Sequence, residues 1–313
     1  MKRLKYMFIV LAAAGVSLAA SLPVMAAEPY EVALPFSRTI YDASTLAMGG
    51  SGLLNTANAA AAPFQNAALM SYSDKTFDLG LTYQMFQPAY AKSNVLSAGI
   101  AGKLFDKLGI GGGVTMRMNP GYELVDGDGI IGDTYHPKDI QANLGLSYKI
   151  IPALSVGVNF KYLNSNIAPE ASYGAFASDI FLMTRIKGFK AALGVSNIGT
   201  KVKSGDNKFS IPSSATLALG YSALFASKHG LDVEIDADWW FQNTISASAG
   251  LTYLYNEMVY VRAGYRYGGN SVLPSFASAG IGVKFFGVKL DLAYLFASES
   301  LSNTLAVTLG FQF

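Results

Sequence analysis

The last ten residues alternate without a break: Leu305, Val307, Leu309, Phe311 and Phe313 share one face, Thr304, Ala306, Thr308, Gly310 and Gln312 the other. A period of two is that of a β-strand. The same pattern recurs upstream, where Ile140, Ala142, Leu144, Leu146, Tyr148 and Ile150 oppose Asp139, Gln141, Asn143, Gly145, Ser147 and Lys149. From Thr76 onward the sequence divides into about fourteen such segments, at 76–86, 93–104, 108–118, 139–150, 154–163, 173–187, 189–198, 213–226, 230–240, 244–255, 258–267, 276–286, 288–297 and 304–313.

An open sheet with so many apolar faces needs a second layer to cover them, and no amphipathic helix series supplies one. Lipid is the remaining partner. Apolar residues make up 51% of the chain and charged residues 14%, yet the longest uncharged stretch, 43–73, is broken by Gly49, Gly50, Gly52 and Pro63. Such a stretch does not span hydrocarbon as one helix. The expectation is an all-β transmembrane antiparallel outer-membrane β-barrel over 76–313, with a partly helical N-terminal plug or hatch segment over 27–75. Connections after even-numbered segments are short, as at Phe105-Asp106-Lys107 and Gly287, whereas Asn119–Lys138 and Gly199–Pro212 are long. That sorting places both termini on the periplasmic side of the bacterial outer membrane. Tyr83, Tyr148, Tyr162, Tyr221, Trp239, Tyr265 and Tyr294 stand near segment ends as interfacial girdles do. Phe311 and Phe313 are the closing signal expected to be read by the barrel-assembly machinery.

Ahead of the barrel, Lys2, Arg3 and Lys5 precede the apolar run Met7–Ala20, and Val24-Met25-Ala26 offers small residues for cleavage. Residues 1–26 read as a secretory signal. In 27–75, Leu46–Gly52 reads as a tight turn and Ala57–Leu69 as an Ala-rich helix broken at Pro63. This segment is expected to enter the lumen; covering the periplasmic mouth is the alternative.

The inward faces carry the candidate site. On the ninth segment Asp232, Glu234, Asp236 and Asp238 form one inward rail, and on the eleventh Arg262 and Arg266 point inward. Ser246, Ser248, Gly250 and Thr252 between them are small, so the arginines are expected to reach the acids. Gly280 and Gly282 clear space towards Lys289 and Asp291. Charges this dense need opposite partners or water. The network either braces the wall or forms a selectivity surface for polar solute.

Catalysis is poorly served. His136 and His229 fall at opposite ends of the expected barrel and cannot join one triad or metal site. No cofactor, metal or nucleic-acid partner is expected; Lys+Arg number 23 against 21 Asp+Glu, and there is no cysteine. Gly109-Ile-Gly-Gly-Gly lacks the Lys-Ser/Thr of a phosphate loop, and its glycines more simply make room for whatever fills the lumen. The carboxylates between Asp126 and Asp133 lack the spacing of a known calcium loop and read as an exposed turn.

The chain resembles the PorV/PorQ outer-membrane proteins of Bacteroidota, themselves similar to the FadL fourteen-stranded fatty-acid transporters. The resemblance rests on Ala47-Met48-Gly49-Gly50-Ser51-Gly52 followed by Gln65-Asn66-Ala67-Ala68-Leu69, on Val195-Ser196-Asn197-Ile198-Gly199 leading to Ile211-Pro212, on Val261–Arg266, and on Phe313. Both families usually carry Asn-Pro-Ala where this chain has Asn66-Ala67-Ala68. A PorV/PorQ likeness implies support of export or surface attachment of proteins, with type IX secretion-system components or exported cargo as partners. A FadL likeness implies passive transport of hydrophobic small molecules through a gap in the wall. A general porin is the third reading. Transport predicts an apolar pocket between the Ala57–Leu69 segment and the wall, together with a bulge in an inner strand. Export support predicts a sealed wall and an exposed apolar patch around Tyr122, Leu124, Ile130, Ile131 and Tyr135.

Overall fold

The structure, a computed structural model, describes residues 32–87, 92–129, 131–225, 227–269, 271–297, 301 and 303–313. The expected signal segment 1–26 and Ile130 lie outside them. Eighteen strands follow in order: β1 (Phe77–Phe86), β2 (Ser93–Leu104), β3 (Leu108–Met118), β4 (Tyr122–Val125), β5 (Ile131–Tyr135), β6 (Lys138–Ile151), β7 (Leu154–Ala168), β8 (Ala171–Ile186) and β9 (Phe189–Gly199). Then come β10 (Val202–Ser204), β11 (Asn207–Phe209), β12 (Ser214–Phe225), β13 (His229–Trp240), β14 (Thr244–Tyr255), β15 (Val259–Tyr267), β16 (Phe276–Phe285), β17 (Val288–Ala297) and β18 (Leu305–Gln312). Fourteen of them close into one antiparallel barrel, while β4–β5 and β10–β11 are separate hairpins carried by the long loops.

Closure is made where the alternation ended. β18 pairs β1 from Asp78↔Gln312 to Met85↔Leu305, and Phe313 extends the seam by accepting from Thr76 N at 2.9 Å and donating to Phe77 O at 2.9 Å. Outward positions are apolar and exposed all round the wall, as at Leu81, Ile100, Phe160, Leu193, Ile235 and Val261. Buried against hydrocarbon, such a band satisfies every backbone group within the sheet. Among the described residues no helix is long and apolar enough to cross a membrane.

The short-turn end uses tight hairpins with left-handed residues, including Asn256 (φ 52°) and Glu257 (φ 56°) between β14 and β15. The opposite end differs from expectation in two places. β7 and β8 continue to Ala168 and Ala171, so the foreseen loop 164–172 is a tight turn on a tall hairpin. The Asn119–Lys138 loop is largely the β4–β5 hairpin, and the Asp126 carboxylate accepts from Asp128 N at 3.0 Å, an ordinary turn.

Residues 32–73 run inside the wall. Ala33 N donates to Ser210 O at the long-loop end, whereas Gln312, at the short-turn end, donates to Ala57 O. The segment therefore traverses the lumen before entering β1, and its described start lies at the end of the barrel opposite Phe313. Helix α1 (Ala43–Ala47) is capped by Asp42, whose carboxylate accepts from Thr45 N. Two 3₁₀ turns follow, Ala59–Phe64 and Ala67–Tyr72, in place of the Ala-rich helix broken at Pro63 expected over 57–69; Pro63 lies within the first turn, and the break comes at Gln65 and Asn66.

Candidate functional site

Alternation sends Asp232, Glu234, Asp236 and Asp238 of β13 inward, and the lumen receives them differently. Asp238 lies 3.4 Å from Arg266 and 3.6 Å from Arg38; Thr216 and Ser246 also donate to it. Arg266 thus crosses the small residues of β14 as expected. Arg262 does not: it turns the other way and meets Asp291 at 2.7 Å, with Lys289 on the same carboxylate at 3.1 Å. Gly282 makes that possible, since a side chain there would collide with Asp291 and crowd Arg262. The lower acids also depart from the expected arginine pairing. Asp232 pairs with Lys190 of β9 at 2.8 Å, reaching across β12 at Gly220. Glu234 accepts the Leu54 amide at 2.9 Å.

The inner segment is seated beside these charges by its turn. Gly49 (φ 72°) and Gly50 (φ 90°) adopt left-handed backbone that favours glycine. The Gly49 amide donates to Ser278 Oγ at 2.9 Å. Met48 packs onto β14 and β15, where a Cβ on Gly250 would come within 2.6 Å of its own Cβ. Asn66 caps the second 3₁₀ turn through Ala68 N at 3.0 Å and donates to Leu53 O at 2.8 Å. Ala67 stands at the first position of that turn, where proline would forfeit no hydrogen bond; the Asn66 cap starts the turn, and Ser71 and Ser155 both donate to Ala68 O. Ala68 and Leu69 are buried in one apolar cluster with Phe181 and Met183 of β8. Tyr41 stacks on Phe64 at 4.5 Å and donates to Gln141; burial holds its phenol above the ordinary range.

Several contributors were not singled out in the sequence. Arg38 stands 4.5 Å over the Trp240 ring. Lys161 and Asp179 form a buried pair at 2.6 Å, readable only once the inward faces of β7 and β8 are known. Leu34 and Phe36 pack with Leu163, Ala175, Ala177, Val202 and Ile211 in an apolar cluster at the long-loop end. Leu34 does so in left-handed backbone, φ 52°, a conformation costly for a branched side chain. Immediately below, β8–β9 pairing slips between Ser178 and Ile180, and β9 pairs β12 only as far as Ser196. Asn197, φ 56°, bridges the break by donating to Asp179 and to Pro212 O.

Among the described residues, the inner segment leaves spaces in the lumen. One, of about 90 Å³, lies among Arg38, Tyr41, Asp179, Asp236, Asp238 and Arg266; another, about 470 Å³, opens at the short-turn end around Asn55, Lys190, Asp232 and Arg262. His136 and His229 stand at opposite ends, the latter 2.6 Å from Tyr253 Oη. No group of three or more potential metal ligands is gathered among the described residues.

No family model matches the chain, and no curated protein is similar to it in sequence. Solved structures do share its fold. The Pseudomonas putida toluene transporter TodX is 17% identical, covering 87% of this chain and 98% of its own, with a TM-score of 0.59. The Ralstonia pickettii toluene transporter TbuX is 13% identical over 89% and 100%, with a TM-score of 0.55. A Pseudomonas aeruginosa FadL homologue is 11% identical over 87% and 98%, with a TM-score of 0.52. The fold is thus that of a FadL-like fourteen-stranded outer-membrane barrel.

Proposed function

We propose that the protein is an outer-membrane barrel for passive entry of small hydrophobic molecules. Its short-turn end and Phe313 face the periplasm, and residues 32–75 act as an internal plug. The observation that carries this reading is the apolar cleft at the long-loop end, filled by the chain's own Leu34 and Phe36, directly above the register break of β8–β9. It is the one break in the described wall away from strand ends. An apolar solute that displaces Leu34 and Phe36 gains their buried surface, at about 25 cal/mol per Å², and relieves a left-handed leucine. The shared fold with two toluene transporters supports the same reading. A general porin fits less well, because the inner segment fills the lumen from end to end.

The test is accumulation of labelled toluene and a labelled medium-chain fatty acid by whole cells whose outer leaflet is lipopolysaccharide. Cells expressing the barrel are expected to accumulate them faster than cells without it, and Ala177→Trp, which fills the cleft, to abolish the gain. Equal accumulation with and without the barrel sinks the proposal.

A second reading, PorV/PorQ-type support of protein export or surface attachment, is favoured by one observation. The β4–β5 hairpin exposes Tyr122, Val125 and Ile131 at the long-loop end of the closed barrel. Co-purification of secretion components with the tagged barrel would favour it.

A further inference from the structure

The β10–β11 hairpin is apolar on one face and cationic on the other. Residues directly opposite in an antiparallel pair share a face, so Val202 stands with Phe209 and Lys203 with Lys208. Val202 is buried in the apolar cluster with Leu34 and Phe36, which turns Lys203 and Lys208 away from the lumen. Both are exposed, as is Lys201 just before the strand. Among the described residues none of the three belongs to an ion pair. Like charges directly opposite each other destabilise a hairpin, and its own acid, Asp206, lies in the turn between the strands.

The depth of these lysines is fixed by their neighbours. Phe176, Ile198, Trp239 and Phe241 are exposed at the long-loop end of the wall and mark the upper edge of its apolar band. Lys201 follows Ile198 by three residues, about 10 Å of chain at most, against a headgroup layer roughly 5–8 Å thick on each side of the hydrocarbon. The lysines therefore stand within reach of headgroup phosphates. Beside them a groove of about 540 Å³ runs between 207–210 and Gln242, next to Phe241, whose amide donates to Ser213 O at 3.1 Å. Its lining offers one cation, Lys208, and two side-chain amides, Asn207 and Gln242. Lysine takes phosphate as a point charge, and amides donate to and accept from sugar hydroxyls. An acidic protein partner would need no such nearness to the hydrocarbon edge.

We propose that Lys201, Lys203 and Lys208, with the groove at Gln242, bind the phosphorylated sugar headgroup of lipopolysaccharide in the outer leaflet. The inference takes from the proposed function only that the long-loop end faces outward. It needs no solute passage, so the accumulation assay above and the binding assay below fail separately. Labelled lipopolysaccharide is titrated into the full chain folded in nonionic detergent, and saturable binding to the wild type is expected. Lys201→Gln, Lys203→Gln and Lys208→Gln are each expected to weaken it about fivefold, and the three together more than tenfold. Lys228→Gln, equally exposed at the short-turn end, is expected to change nothing. Lipopolysaccharide stripped of its phosphates is expected to bind the wild type no better than the intact form binds the triple variant. Absence of saturable binding overturns the site, as does binding undiminished in the triple variant or after removal of the phosphates. A loss in Lys228→Gln as large as that at the hairpin overturns it equally. Inorganic phosphate or polyglutamate that binds the wild type as tightly as lipopolysaccharide overturns the assignment too, in favour of a free anion or an acidic protein.

Discussion

The two sides of the lumen hold the same inner segment by different balances of shape and charge. On the β1–β8 side the wall is carved: Gly99, Gly113 and Gly157 leave no room for a Cβ, because Ala60, Phe64 and Ala68 press against their backbone. Neutral donors join in, Asn143 to Pro63 O at 2.8 Å and Ser155 to Ala68 O at 3.0 Å, and charged groups hold the segment nearer the ends of the barrel: Lys103 donates to Ser73 O and Arg117 to Thr39 Oγ1, both at 2.6 Å, and Asp78 accepts the Ala59 amide at 3.1 Å. On the β12–β17 side the wall is charged, and the segment meets it through Arg38, the Leu54 amide and the Met48–Gly50 turn. Docking by shape tolerates no added volume. The β12–β17 side excludes added volume too, at Gly250, Gly264 and Gly280, where Met48, Gly49 and Ala47 press in; its charges add a second demand, that no partner be removed. The two sides should therefore differ most in their response to the loss of a charge.

The largest effect is expected on the charged side. Arg262→Gln leaves Asp291 buried with Lys289 as its one cation, and breaking such a pair costs about 3–5 kcal/mol. Denaturant unfolding of the barrel in lipid vesicles measures it; a loss that disappears in the Asp291→Asn background would confirm that the pair is responsible. On the carved side, Gly157→Val is expected to cost about 1–3 kcal/mol by overpacking and to make residues 59–72 accessible to protease. Gly112→Val, on the outward face of the same barrel, has only Asn143 O nearby at 3.2 Å and is expected to leave protease resistance intact. If the two valines behave alike, the carved wall is not what seats the segment. Arg266→Gln is expected to cost less than Arg262→Gln, about 1.5–3 kcal/mol. Asp238 keeps Arg38, Thr216 and Ser246, and the same unfolding measurement ranks the two.

The carved side was more legible in the sequence than the charged one, for a physical reason. Which face a residue takes depends on its own strand alone, so Gly109, Gly111 and Gly113 could be read as clearance before the filler was known; Met70, Pro63 and Phe64 now occupy it. The rail of acids was readable by the same parity. Its partners were not, because Lys190 reaches Asp232 across an intervening strand and Arg262 chooses Asp291 over the acids of β13. Such choices depend on side-chain length and on local gaps like Gly282. Helix α1 escaped notice because five residues carry no period; the Asp42 cap and packing onto β16–β18 make it. The upper parts of β7 and β8 escaped because Asn164, Ser165 and Asn166 rise beyond the apolar band and lose its alternation.

The seam between the two sides gives the smallest and most discriminating prediction. Asn66 is wholly buried; its carbonyl oxygen caps the Ala67–Tyr72 turn on the carved side, while its amide nitrogen holds Leu53 O, next to the residue bound by Glu234. Asn66→Ala removes both bonds and is expected to cost about 1 kcal/mol. Asn66→Ser keeps a capping oxygen and deletes the bridge without burying a charge. If the sides are independent, the serine variant unfolds close to the wild type and leaves the cost of Arg262→Gln unchanged. If the bridge couples them, the serine variant loses about as much as the alanine one. Its effect then fails to add to that of Arg262→Gln by more than the few tenths of a kcal/mol seen for distant, unlinked sites.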